Sequence, residues 1–343
     1  MTLSTELLRR SLILLLFFFT SCSKSVKSFG GYIADPKLNQ AIKDANSNDN
    51  AVAANALFSL RGGNSESLRA YFYMLDSKNS NIRARACSEM IATYRTVSVN
   101  NSAPDKQALL QAYRDSLLEA FLITAKQDKE LFVRKTAIQA FKFLVELDLA
   151  QAEQLLVSTQ KENTGSIETD NPVNIKSRYQ TKFIKKIINN LIDLVVDKDP
   201  QIQRESALAS INFAGFIEKP IIREINTKHA TKYIIAVLTK VNYKDSVKEI
   251  GKFLKSEDWE VRAQAALSLG DFGSASEDFV PELITLLSDP NEAIQKIAAV
   301  SLVKIGRADG VEAVIKKFPD SELIPEMNMD DPLADEKLAE SDI

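Results

Sequence analysis

The sequence predicts an all-α protein: an α-solenoid of about seven stacked antiparallel helical hairpins, with an N-terminal signal peptide ahead of it and an acidic C-terminal tail behind. Three observations lead there. A motif near the C-terminus repeats at 33 residues, with Ile294 falling on Val261, Ala298-Ala299 on Ala265-Ala266, Leu302 on Leu269 and Gly306 on Gly273. Within each copy the apolar positions fall at i, i+4, i+5 and i+8, one stripe of an α-helix. Finally, 11 Gly and 10 Pro in 343 residues are too few for a protein built of tight β-turns.

In chain order, the first element is residues 1–21, read as a lipoprotein signal peptide. Arg9 and Arg10 precede an uninterrupted apolar run, Leu12 to Phe19, and then small residues, the layout of an export signal. The run has eight residues, so a helix over it spans roughly 12 Å, too short to cross a hydrocarbon core of about 30 Å. Phe19-Thr20-Ser21-Cys22 resembles the lipobox of bacterial lipoproteins, departing from it at Phe19, where an aliphatic residue is usual. That resemblance implies lipidation of Cys22, export, and a lipid-anchored place in the bacterial cell envelope, at the outer membrane, its periplasmic face or the cell surface. The alternative is an ordinary signal peptide, and twin-arginine export is a further one for Arg9-Arg10. Residues 22–37, polar and carrying Gly30-Gly31, are expected to be a flexible tether.

Residues 38–318 are expected to form the solenoid. The repeat frame is anchored upstream at Val52, Ile82, Val133 and Ile202, so six copies share it. Capping residues precede the stripes: Asp49-Asn50, Asp199-Pro200 and Asp289-Pro290-Asn291. Gly270, Gly273 and Gly306 follow them and are expected to end helices in left-handed geometry. Second amphipathic segments, Ser246–Leu254, Phe279–Leu287 and Val311–Phe318, lie between stripes. Each copy is thus a hairpin that buries its apolar face only by stacking. The spacing from Ile202 to Val261 is 59 residues and predicts a hidden divergent repeat whose second helix is Lys228–Val241. A polar loop is expected at Val97–Lys106 with a long helix from Gln107, and a polar insertion near 160–174.

The pattern Asp-Pro, Val-Arg, paired alanines and Leu-Gly, clearest at 255–306 and weaker at 128–144, resembles the HEAT repeat in its short bacterial form. The resemblance implies a right-handed superhelix that binds other macromolecules. It also implies that Arg83, Arg134 and Arg262 pair with an aspartate near a neighbouring turn, such as Asp128, Asp197 or Asp289. Ligand binding by the three arginines is the sharper alternative.

Signals for chemistry are sparse. There is no Gly-rich phosphate loop, His-Glu-x-x-His or Gly-x-Ser-x-Gly. His229 is the only histidine, and Cys22 and Cys87 the only cysteines. No metal, cofactor or catalytic residue is therefore assigned, and Cys87 reads as a small core residue. Trp259 is expected to pack between hairpins, with an exposed binding anchor as the alternative. Residues 319–343 carry nine carboxylates against Lys337, a net charge of −8. Lys176, Arg178, Lys182, Lys185 and Lys186 gather basic charge on one helix; the tail either folds back on the solenoid or only keeps the terminus soluble.

The expectation is a non-enzymatic scaffold, held to a membrane through its N-terminal lipid, that binds a protein or peptide in the solenoid groove. Nucleic acid is not an expected partner, because the formal charge is −3 and no strongly basic face stands out. One alternative is an enzyme or enzyme subunit, envelope-acting or similar to bilin lyases, with a site built from Gln264, Ser268, Gln295, Ser301, Glu205 and Ser210 on the inner helices. A surface-exposed adhesin is the other.

Overall fold

The structure is a computed structural model and describes residues 29–31, 33–60, 65–99, 104–164, 179–225 and 231–319. Fifteen α-helices and no strands occur among the described residues. They are α1 (Pro36–Asp44), α2 (Asn50–Phe58), α3 (Ser65–Met74), α4 (Ser80–Val99), α5 (Pro104–Gln127), α6 (Leu131–Thr164) and α7 (Thr181–Val195). Then follow α8 (Pro200–Ile211), α9 (Glu218–Ile225), α10 (Lys232–Lys240), α11 (Val247–Gly251) and α12 (Trp259–Asp271). The last three are α13 (Val280–Leu286), α14 (Glu292–Ile305) and α15 (Ala308–Lys317). Short 3₁₀ turns extend α11 on both sides and precede α13. The chain divides into two compact units, Met1–Thr124 and Ala125–Ile343.

In the first unit α1 packs on α2 and α3, and α4 packs on α2 and α3, which makes two stacked hairpins. Their shared core includes Leu57, Leu68, Tyr71, Phe72, Met74 and Met90, all fully buried. Cys87 is buried there as well, its thiol against the Arg83 carbonyl, as expected of a core residue. The stretch expected to be a free tether is docked at its far end. Phe29 meets Phe72 with ring centroids 5.7 Å apart, Arg69 Nε donates to the Gly30 carbonyl (2.8 Å), and the Tyr73 hydroxyl donates to that of Gly31. A Cβ on Gly30 would lie 2.4 Å from the Tyr73 ring, so only glycine lets the chain approach this closely. Val52 departs from the repeat frame: it is 40% exposed, and Ala53, Ala56 and Leu57 carry the buried face of α2. The 97–106 loop is shorter than expected, because α4 runs to Val99 and α5 begins at Pro104.

In the second unit the helices form two rows. The second helices of successive hairpins, α6, α8, α10, α12 and α14, pack each on the next; the first helices, α7, α9, α11, α13 and α15, lie on one side of them. The divergent repeat is the α9–α10 hairpin, and α10 sits between α8 and α12. Helix α6 continues to Thr164, so the first five residues of the 160–174 insertion are helical; the rest lie outside the described residues.

Two glycines differ in what they do. Gly306 has φ +79° and caps α14 in the left-handed region, as expected. Gly270 does not end its helix. It is helical within α12, and a Cβ there would stand 2.8 Å from Ser301 Cα, so it sets how closely α12 and α14 approach. The equivalent position on α14, the last helix of the second row, is Val303, and Lys296 takes the place of the buried Ala263.

Candidate functional site

The second-row helices of the second unit are placed by one turn, used repeatedly. Five residues before each anchor aliphatic, a side-chain oxygen accepts the N–H two residues on. Asp128 does so for Glu130 (2.9 Å), Asp197 for Asp199 (3.0 Å) and Asp289 for Asn291 (2.9 Å). The residue so fixed then caps the helix: Asp199 accepts from Gln201 N–H and Asn291 from Ala293 N–H, both at 2.9 Å. In the first unit Ser47 and Ser77 fill the same place, accepting from Asp49 (3.1 Å) and Asn79 (3.2 Å).

The arginines after the anchors are structural in the second unit. Arg262 donates to both carboxylate oxygens of Asp289, Nε at 3.2 Å and one terminal nitrogen at 3.4 Å, and to the Ser256 carbonyl at 2.6 Å. Arg134 pairs with Asp197 and donates to the Ala125 carbonyl at 2.6 Å. Both links run from one second-row helix to the turn before the next, the pairing the resemblance implies. Where Arg is replaced by Gln203 or Gln295, the amide donates to the carbonyl of the turn aspartate of its own repeat. In the first unit Arg83 is buried and donates to the Ser77 carbonyl at 2.9 Å. With their donors spent on such links, Arg134 and Arg262 do not form a ligand site.

The polar set expected to line a catalytic groove is not there. Glu205, Ser210, Gln264, Ser268 and Ser301 are all buried, and Gln295 is half-buried. Small polar residues sit between neighbouring second-row helices because the helices are too close for larger ones. The Thr239 hydroxyl donates to Ser268 Oγ at 2.6 Å, and Gln264 Nε2 donates to the same oxygen at 3.2 Å.

What the row does expose is apolar surface with neutralised charge. Phe132 is 44% exposed and Phe143 48%; eleven residues apart on α6, they share a face about three turns long. Leu208, Leu267 and Val300 on later helices are partly exposed. Three pairs of charged residues on these helices are joined: Lys232–Glu260 (2.6 Å), Lys304–Asp271 (2.7 Å) and Arg204–Glu205 (3.4 Å). Trp259 does not pack between hairpins. As the first residue of α12, directly after the capping Asp258, it is 48% exposed.

Cys22 and His229 lie outside the described residues, as do Lys176 and Arg178. Among the described residues there is no group of three metal-ligating side chains, and no helix is long and apolar enough to cross a membrane.

Residues 226–278 match the family described as HEAT repeats. This match covers α10 to α12, where the divergent hairpin meets the best-conforming one, so this segment is built of HEAT repeats within a solenoid of stacked α-helical hairpins. No curated protein matches the chain. Among solved structures it is similar to a chain from the structure of Kap95p binding RanGDP, at 11% identity and a TM-score of 0.44; the overlap covers 86% of this chain and 37% of that one. It is also similar to human deoxyhypusine hydroxylase, at 14% identity and a TM-score of 0.29, covering 78% of this chain and 96% of that one. A designed armadillo repeat protein in complex with the peptide (KR)4 is a third, at 17% identity and a TM-score of 0.32, covering 78% and 99%.

Proposed function

We propose that the protein is a non-enzymatic scaffold of the bacterial cell envelope, exported, anchored through lipid on Cys22, and binding a protein or peptide along the exposed face of its second-row helices. The observation that carries the binding half is the Phe132–Phe143 face of α6. Large aromatics half-exposed on a rigid helix suit burial against a partner better than contact with water. The inward polar groups hold helix to helix, which supports a packing role for them rather than a catalytic one. The anchoring half is supported by the apolar run ending at Cys22.

A photo-reactive residue at Phe143 in the anchored protein should give a discrete crosslinked product in intact cells. The same residue at Thr285, exposed on the first-row helix α13, should not. Equal products from both positions, or none from Phe143, would remove the binding face. For the anchor, a palmitate-analogue label should be present in the natural protein and absent from Cys22→Ala; label that persists in the variant would refute lipidation.

A further inference from the structure

The first-row helices of the second unit carry a charge pattern unlike that of the second row. On α7, Lys182, Lys185 and Lys186 are exposed on a single face. On α9 the exposed pair Lys219 and Arg223 is spaced one turn apart. Around α11 the exposed basic residues are Lys244, Lys248, Lys252 and Lys255, spaced four, four and three, one continuous stripe. Four carboxylates lie on these elements' accessible surface: Asp193, Glu224, Asp245 and Glu249. Asp193 is engaged by Lys126 at 2.5 Å and Glu249 by Lys252, and Glu224 also has a partner. Basic charge therefore predominates across three successive first-row helices, while the second row joins several of its charges in pairs.

We infer that this first-row face is a docking surface for an anionic phospholipid membrane. Its composition discriminates between partners. Eight of the nine cations are lysines, compact point charges on flexible stems that suit mobile phosphate headgroups. Protein interfaces favour arginine and aromatic residues at their cores and are depleted in lysine. None of the large exposed hydrophobic side chains lies on α7, α9 or α11, so contact is electrostatic and peripheral rather than inserted. The proposal deepens the membrane-anchored reading, adding a basic contact face to the lipid on Cys22. It leaves the second-row helices directed away from the bilayer.

The test uses residues 23–343, which contain every described helix and lack Cys22, so that its outcome is independent of lipidation. Cosedimentation is measured with phosphatidylcholine vesicles and with vesicles that also contain phosphatidylglycerol. Binding is expected only to the anionic vesicles and should fall steeply as salt rises. At about fivefold per lysine, changing Lys244, Lys248, Lys252 and Lys255 together to Glu should weaken it by at least a hundredfold with the helical circular-dichroism signal unchanged. Lys296→Glu, on the second row, should bind as the natural chain does. Equal binding to neutral vesicles, no binding at all, or a charge-reversed variant that still binds would overturn the proposal. Binding that emerges only when residues 320–343 are deleted would assign the face to the acidic tail instead and overturn it equally.

Discussion

At the scale of the residue, one carboxylate does two jobs. Asp289 closes its own turn by accepting the Asn291 N–H and also receives Arg262 from the preceding repeat, with its side chain almost wholly buried. Asp289→Ala should cost about 2–4 kcal/mol in urea denaturation, because the buried carboxylate's ion pair with the partly buried Arg262 and a turn hydrogen bond are lost together. Arg262→Ala in the same background should then add little, a coupling that a double-mutant cycle reads directly. The buried serines separate by whether their hydroxyls are satisfied. Ser268 accepts from Thr239 and Gln264, so Ser268→Ala should cost about 1–2 kcal/mol. Ser301 Oγ is buried with no hydrogen-bond partner among the described residues, and Ser301→Ala should be neutral or stabilising by the same assay.

At the scale of the element, two phenylalanines on α6 divide stability from function. Phe141 is fully buried and stacks on Phe213 with ring centroids 6.2 Å apart, whereas Phe143, half a turn on, faces solvent. Thermal unfolding of Phe141→Ala should show a loss of about 3–5 kcal/mol, while Phe143→Ala should unfold within about 0.5 kcal/mol of the natural chain and lose its partner. The helical stripe at i, i+4, i+5 and i+8 could be read without coordinates because a buried helix face leaves a period in the sequence, as Val261, Ala265, Ala266 and Leu269 do. Val52 sits at the same position but stays exposed, since a stripe gives the phase of a face and not whether a neighbour covers it. The polar groove set failed for a related reason. Gln264, Ser268 and Ser301 look like surface residues by type, yet helices packed closely enough for Gly270 to touch Ser301 leave room only for small side chains between them.

At the scale of the whole molecule, charge is sorted by row in a way that net charge conceals. The formal total is −3, and the basic residues beyond Lys182, Lys185 and Lys186 are placed by the first-row helices α7, α9 and α11 of successive hairpins. A signal did exist: lysines at 244, 248 and 252 recur at helical spacing within a segment already assigned to a first helix. The two rows also depend on the α9–α10 hairpin, whose sequence diverges from the repeat frame, standing in line with its neighbours. That arrangement is tested most directly by replacing Thr239 and Ser268 with cysteine in a chain lacking Cys22. The two oxygens stand 2.6 Å apart on α10 and α12, so mild oxidation of the folded protein should form a disulfide, seen as the loss of two hydrogens by mass and of two alkylatable thiols. Two thiols that stay reduced and separate under the same oxidant would contradict the stacked row, and with it both surfaces assigned to it.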